Sequence, residues 1–288
     1  MFRLPTSIPK RRARVMAWGL SVFAVLALLL GFWYFENWMI QTQTFVLRQT
    51  ALPDAFDGFR IVEIADLHGR QFGRDNAELL QAVRAARPDL IAIDGDLVDE
   101  RTELSMLEPL LRGLCAIAPT YYVTGNHEWA RSDTRALLHR IEDCGVTVLA
   151  NEYRVLRRGE DKLVLAGVHD PNGPADQKTP EALLAEIRQK EGAQSYVLLL
   201  AHRNGQLAQW AELGVQTVLA GHCHGGVVRL PYLGGVFGSG GSLFPKYSAG
   251  VYRMGGTEMV VSRGLGNTRA ICRVFNRPHL PVILLQKP

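Results

Sequence analysis

Five short pieces of this chain carry side chains that bind divalent transition metals: Asp66-Leu67-His68, Gly95-Asp96, Gly125-Asn126-His127, His202, and Gly221-His222-Cys223-His224. Five of the eight histidines fall within them. Each piece follows a short apolar run. Open α/β sheets gather their sites at the carboxyl ends of the strands, so residues spaced this way meet in one place.

The residue types specify the chemistry. Imidazole and carboxylate suit manganese, zinc or iron, and no thiolate cluster competes with them. Asp66 and His68 place two ligands on one turn. Asp96 has two oxygens with which to bridge a pair of ions, and Asn126 offers a neutral amide oxygen. His222 and His224 share a face if their segment is extended, with Cys223 turned away. Two ions about 3.5–4 Å apart lower the pKa of a bridging water and hold the oxygens of a phosphate in the transition state. His127 directly follows Asn126 and is better placed as an acid for the leaving-group oxygen than as a ligand, because imidazole exchanges protons near neutral pH.

Singly, most of these pieces are weak. Asp-x-His is common, Gly-Asp after a strand is an ordinary turn, and Gly-Asn tolerates positive φ in many turns. A lone His202 would more often be a satisfied core residue. Gly-His-x-His is the strongest piece. Chance accounts poorly for all five in this order, each at a strand end. Outside them, His139 reads as surface on a helix, His169 and Asp170 as candidates to line the pocket, and His279 as having no role.

The elements that must position these residues alternate from about residue 57. Residues 59–65, 90–93, 120–124, 146–149, 153–157, 163–168, 197–200 and 216–220 read as strands. Residues 74–87, 102–114, 132–143, 179–191 and 206–213 read as helices, with Pro109 expected to end or kink the second and Thr179-Pro180 to open the fourth. From Gly225 onward the pattern predicts β-hairpins to the end. Alternating strands and helices argue for α/β layering, with a second sheet packed on the first.

The net charge of +4 is misleading. Residues 1–14 hold Arg3, Lys10, Arg11, Arg12 and Arg14 and no acid; the rest carries 27 basic and 28 acidic residues, a balance of −1. The basic excess therefore points to no nucleic-acid partner. It precedes an uncharged apolar run over residues 15–34, which at ~1.5 Å per residue matches a bilayer core of roughly 30 Å. Trp33, Tyr34 and Trp38 stand at its far end, where aromatics favour the interface. A cleaved signal would have a shorter apolar region and a small-residue cleavage site, whereas this run ends in bulky residues. Arg11-Arg12 also raises a twin-arginine signal, against which Arg14 stands where an apolar residue is preferred. The flanking charge places the N-terminus in the cytoplasm and the main domain outside a bacterial inner membrane, anchored by a single pass. The expected division is a basic cytoplasmic N-terminus (1–14), a transmembrane helix (15–35), a linker and first strand region (36–56) and a catalytic domain (57–288). Four cysteines in 288 residues are no disulfide framework, and spacing alone does not pair Cys115 with Cys144.

The order Asp-x-His, Gly-Asp-x-x-Asp (95–99), Gly-Asn-His-Glu (125–128), a lone His and Gly-His-x-His-Gly-Gly (221–226) resembles the calcineurin-like metallophosphoesterases. The resemblance covers about residues 50–285 and is nearest to the membrane-anchored bacterial branch, through Arg229-Leu230-Pro231 and Val261-Ser262-Arg263-Gly264-Leu265-Gly266. It implies a four-layer α/β/β/α sandwich of two mixed β-sheets flanked by helices. It also implies that Asp66, His68 and His224 hold a first ion, that Asn126, His202 and His222 hold a second, that Asp96 bridges, and that His127 is the acid. Arg203-Asn204 after His202 departs from relatives that often have a proline two positions on. Cys223 stands where many have threonine. Neither removes a ligand.

A membrane-anchored phosphodiesterase is the leading expectation, its substrate a phosphodiester or a phospholipid-type molecule. A UDP-2,3-diacylglucosamine pyrophosphatase of lipid A synthesis is the narrower alternative, for which Leu230, Leu233, Val236, Phe237, Leu243 and Phe244 could bind acyl chains; the expected orientation opposes it. A non-catalytic metal-binding envelope scaffold is the third, and His127 speaks against it, since a scaffold needs no acid beside its ions.

Overall fold

A computed structural model describes residues 10–238, 241–267 and 272–288. Residues 1–9 of the basic N-terminal segment, Arg3 among them, lie outside the described residues. The chain begins with α1 (Lys10–Trp38), which is exposed until its last turn and is long and apolar enough to cross a membrane. Then follow β1 (Gln41–Arg48), β2 (Arg60–Ile64), α2 (Ala77–Ala86), β3 (Leu90–Asp94), α3 (Glu108–Cys115), β4 (Thr120–Val123), α4 (Asn126–Trp129), α5 (Thr134–Asp143), β5 (Thr147–Val148), β6 (Glu152–Arg158) and β7 (Asp161–Val168). The second half holds α6 (Pro180–Glu191), β8 (Val197–Ala201), α7 (Leu207–Glu212), β9 (Thr217–Ala220), β10 (Arg229–Leu230), β11 (Gly234–Gly235), β12 (Gly250–Met254), β13 (Thr257–Val261) and β14 (His279–Gln286).

Two mixed six-stranded sheets result, in the orders β1-β14-β2-β3-β4-β5 and β12-β13-β9-β8-β7-β6. In the first, β2, β3, β4 and β5 run parallel; in the second, β7, β8, β9 and β13 do. The period of two along each strand sorts the side chains into layers. Ile61, Leu90, Ala92, Val123, Leu163, Leu165, Leu198, Leu200 and Ile283 fill the space between the sheets. Val62, Ile64, Ile91 and Ile93 face outward onto α2, α3 and α5, while Leu199, Val218 and Val261 face α6 and α7 through Leu183, Ile187 and Trp210. This is the expected α/β/β/α sandwich, with both sheets buried on both faces.

Two local expectations change. Pro109 neither ends nor kinks a helix: the region splits into a 3-10 turn at Leu104–Met106 and α3, which carries Pro109 in its first turn, where its missing N–H costs nothing. The C-terminal region is not hairpins throughout. β12 and β13 form one, but β14 leaves that sheet and inserts between β1 and β2 of the other, parallel to β1 and antiparallel to β2. Residues 36–56 contain the last turn of α1, all of β1 and a 3-10 turn at Asp54–Phe56.

Candidate metal centre

Every piece of the constellation leaves the carboxyl end of a strand. Asp66 and His68 follow β2, Asp96 follows β3, Asn126 opens α4 after β4, His202 follows β8, and His222 and His224 follow β9. Five of the seven candidate ligands have left-handed backbone: Asp66 (φ 52°), His68 (51°), Asp96 (48°), His222 (67°) and His224 (49°). A non-glycine residue in a sparsely populated region costs about 1–3 kcal/mol and persists only where its surroundings enforce it. Here neighbouring loops do so. Asp66 N–H donates to Gly95 O at 3.1 Å, His68 N–H to Asp96 O at 3.0 Å and Gly266 N–H to Asp66 O at 2.7 Å. A Cβ on Gly95 would stand 2.5 Å from the nitrogen of Gly125 and 2.7 Å from His202 Nδ1, so glycine is required where those loops touch.

The ring nitrogens form two pairs. Nε2 of His68 and Nε2 of His224 are 3.2 Å apart; Nε2 of His202 and Nδ1 of His222 are also 3.2 Å apart. Asp96 lies between them, its Oδ2 3.2 Å from His202 Nε2 and 3.9 Å from His68 Nε2. Asp66 Oδ1 is 3.9 Å from His224 Nε2. Asp96 thus presents one oxygen to both pairs, rather than one to each as its sequence suggested, because Oδ1 accepts the His127 backbone N–H at 2.9 Å. His222 and His224 also reach their pairs differently from expectation. Their segment is not extended: two left-handed residues flank Cys223, and a 3-10 turn follows at His224–Gly226.

The donor set fits divalent cations. His202 Nδ1 faces Asp94 O at 2.8 Å and His224 Nδ1 faces Gly266 O at 3.2 Å, so each ring donates there and directs Nε2 inward, where it would meet an ion. Asp66 Oδ2 and Asn126 Oδ1 are buried without a protein partner. Within the described residues Asp66, His68 and His224 form one group able to hold an ion, and Asp96, His202 and His222 another. His127 also groups with His68 and Asp96, its ring edge-on to that of His68 at 4.9 Å.

Electrostatics agree. Burial would raise the Asp96 carboxyl, but facing His202 outweighs it and holds it well below the carboxylate range. Burial would lower His202, and Asp96 instead raises it well above normal. Burial and the neighbouring histidine push His68 well below its usual value, and burial with His202 and Arg203 takes His222 down to about 3. His68 and His222 are thus held neutral, as ligation demands, whereas His202 is held charged by Asp96 and would give up its proton to a bound ion.

Two supporting residues, Glu128 and Glu100, had no role in the sequence reading, and Asp170, expected to line the pocket, holds Arg203. Glu128 is buried and accepts three backbone N–H groups, from Asp96 (3.0 Å) and Gly125 (2.7 Å) at Oε2 and from Val98 (3.2 Å) at Oε1. Burial and the Asp96 charge raise its carboxyl to about 7, against the pull of those hydrogen bonds. Its place in Gly-Asn-His-Glu was the available signal: a glutamate three residues after a helix N-cap reaches back to the cap. Glu100 Oε1 lies 3.2 Å from His127 Nδ1. Asp170 clamps Arg203 through Nε at 2.5 Å and Nη2 at 3.0 Å, while Arg203 Nη1 lies 3.0 Å from His222 Nε2. In this arrangement His222 Nε2 accepts and Nδ1 carries the ring proton.

The end of α1 is also built into the site. Asn37 pairs with the backbone of Arg273, accepting its N–H at 2.8 Å and donating to its carbonyl at 3.2 Å. Arg273 is fully buried and donates to Gly266 O, the carbonyl facing His224. Glu36 accepts the Asn276 N–H at 2.7 Å, and the Asn276 side chain donates to His224 O at 2.8 Å.

The remaining predicted residues separate cleanly. His139 is exposed beside Glu142. His169 is structural: its Nδ1 accepts the Thr124 N–H at 3.3 Å, its ring packs on Trp129, and burial lowers it to about 4. His279 is buried at the start of β14, where its Nδ1 accepts the Arg263 N–H. Cys115 and Cys144 form no disulfide.

The fold and this clustering define a dinuclear phosphoesterase-type site. A family model described as calcineurin-like phosphoesterase matches residues 59–226, and the chain belongs to that family. It is a metal-dependent phosphoester hydrolase. It is 28% identical to the uncharacterized metallophosphoesterase YkuE of Bacillus subtilis, over 88% of each chain. It is 27% identical to phosphodiesterase YaeI of Escherichia coli, over 79% of this chain and 82% of that one. A Danio rerio relative named transmembrane protein with metallophosphoesterase domain is 28% identical over 82% of this chain, which spans 55% of that longer protein.

Glu128→Gln replaces an acceptor by an amide that cannot serve the same three donors. Manganese titration of the full chain in detergent should show affinity reduced about 10–100-fold with unchanged circular dichroism. Unchanged affinity would mean the two loops hold their ligands without it.

Proposed function

We propose that the chain is a membrane-anchored phosphodiesterase whose ions are held by Asp66, His68 and His224 on one side and by Asn126, His202 and His222 on the other, with Asp96 shared. The observation that carries this reading is Asp96 Oδ2 standing between the two histidine pairs. When bound, a pair of divalent ions (manganese, zinc or iron) would supply a water of lowered pKa and offset charge on the phosphoryl oxygens. The protein supplies the rest. Glu128 fixes Asp96 and Gly125 relative to each other. His127 carries the proton for the leaving oxygen at Nε2, with Glu100 Oε1 3.2 Å from Nδ1 on the other side of the ring. Glu100 distinguishes His127 from the ligands, whose second nitrogens face backbone carbonyls, an arginine or no protein partner.

A diester suits the cleft because a monoester dianion calls for more cationic groups. Arg203 stands at the wall, clamped by Asp170, whereas the second candidate, Arg263, donates through Nη2 to Gln41. The name of the relative YaeI agrees. The exposed α1 and the Danio rerio relative's name favour an anchor, and the basic flank at Arg11, Arg12 and Arg14 favours a cytoplasmic N-terminus with the domain outside a bacterial inner membrane.

Full-length protein in detergent with manganese should hydrolyse bis(p-nitrophenyl) phosphate, and Asp96→Asn should abolish turnover. His127→Ala should lower kcat by about 10²–10⁴ while the ions stay bound. Unchanged turnover in His127→Ala would remove the acid assignment. An alkaline phosphatase reporter fused after Pro288 should be active in a bacterial host. A silent reporter, with a cytoplasmic fluorescent fusion bright instead, would reverse the orientation and favour the nucleotide-lipid pyrophosphatase.

A further inference from the structure

Around the metal cleft the surface is unusually apolar for a solvated one. Tyr232, Leu233, Phe237, Leu243, Phe244 and Phe275 are all exposed, from 49% for Phe237 to full exposure for Tyr232. Exposed single apolar residues are ordinary, but a contiguous group is not. These residues are contiguous through the backbone. Tyr232 and Leu233 form the tip of the β10–β11 hairpin. Phe237 pairs with Leu243, and Phe244 N–H donates to Val236 O at 2.9 Å. Val228 bridges Val274, which places Phe275 beside the base of the same hairpin.

Three of the six hold their exposure at a conformational cost. Tyr232 (φ 66°), Phe244 (φ 48°) and Phe275 (φ 50°) are left-handed, where bulky residues are rare. Backbone strain of this kind clusters at functional sites.

The position of α1 identifies what covers it. The Phe275 ring lies edge-on to Phe32 at 5.6 Å. Phe32 precedes Trp38, the last residue of α1, by six residues, or about 9 Å along the helix axis. Phe275, at the base of the ridge, therefore lies at the level of Phe32, beside Trp33 and Tyr34 in the aromatic belt at the end of the apolar span. Apolar side chains of interfacial segments sit about 5–10 Å deep at that level. Basic groups accompany them, Arg277 over the Phe35 ring at 4.2 Å and Lys246 over Tyr247 at 5.0 Å, as a headgroup layer favours. A groove of about 910 Å³ is lined by His222 and Arg203 of the site and by Leu243 and Phe244 of the ridge.

We infer that this ridge inserts into the bilayer interface beside α1, so that the cleft sits on the membrane and takes phosphoesters of bilayer-resident lipids. The inference deepens the phosphodiesterase reading and rests on it, and on α1 spanning the membrane.

The test uses the full chain in phosphatidylcholine nanodiscs, with two diesters that release the same p-nitrophenol: soluble bis(p-nitrophenyl) phosphate, and phosphatidyl-p-nitrophenol embedded in the disc. Tyr232→Ser/Leu233→Ser should leave the soluble diester unaffected and slow the embedded one at least about tenfold, as expected when two large apolar side chains lose their burial. Leu233→Trp in discs of brominated phosphatidylcholine should show its added emission quenched. Equal rates of wild type and double variant on the embedded diester, or an unquenched indole, would overturn the inference. Failure of wild type on both diesters would instead defeat the phosphodiesterase reading, and quenching alone would then decide the seating.

Discussion

The site depends on one buried carboxylate that belongs to neither ion. Glu128 gathers the backbone N–H groups of Asp96, Val98 and Gly125, and so locks the loop after β3 to the loop after β4. Asp96 is the shared candidate ligand, and Asn126 and His127 follow Gly125 directly. The shared candidate ligand, a second candidate ligand and the proposed acid are thus all referred to one hydrogen-bonding hub. Such a hub must be buried to be rigid, and burial beside Asp96 raises the Glu128 carboxyl to about 7. The three donated N–H groups favour its charged form.

A second constraint is backbone geometry. The pieces converge because β2, β3 and β9 end in tight left-handed steps and the loops then approach more closely than side chains permit. Gly95 and Gly125 meet at the site, and a Cβ on Gly264 would stand 2.7 Å from that of Asp66. The sandwich provides the stiffness for this. Both sheets are packed on both faces, so strand ends are fixed points against which strained turns are held. Beneath the site Glu63 and Asp94 point into the layer between the sheets without side-chain partners, and burial raises both carboxyls well above normal. Neutral acids are tolerated in that layer where charged ones would not be.

Much of this was legible in the sequence. The continuous apolar runs at 90–93 and 197–200, the capped start at Thr179-Pro180 and the strand-end position of the histidines are local signals, and the layers and the cluster follow from them. What escaped was non-local or conformational. Nothing in the run 279–286 says that it returns to pair with β1 and β2, because pairing partners leave no periodicity in one strand. Arg273, Asn276, Glu36 and Asn37 carry no local signal of a role, yet they form the chains that hold the backbone around His224. The turn at Cys223 was read as extended because the alternation of His222 and His224 suits a strand equally well.

The account requires two ions close enough to share Asp96. Electron paramagnetic resonance of the full chain loaded with manganese tests this directly. Two manganese ions per chain with an exchange-coupled spectrum, replaced by an uncoupled signal in Asp96→Ala, is the predicted result. A wild-type chain that takes up two ions and shows only uncoupled signals, or that saturates at one, would contradict it.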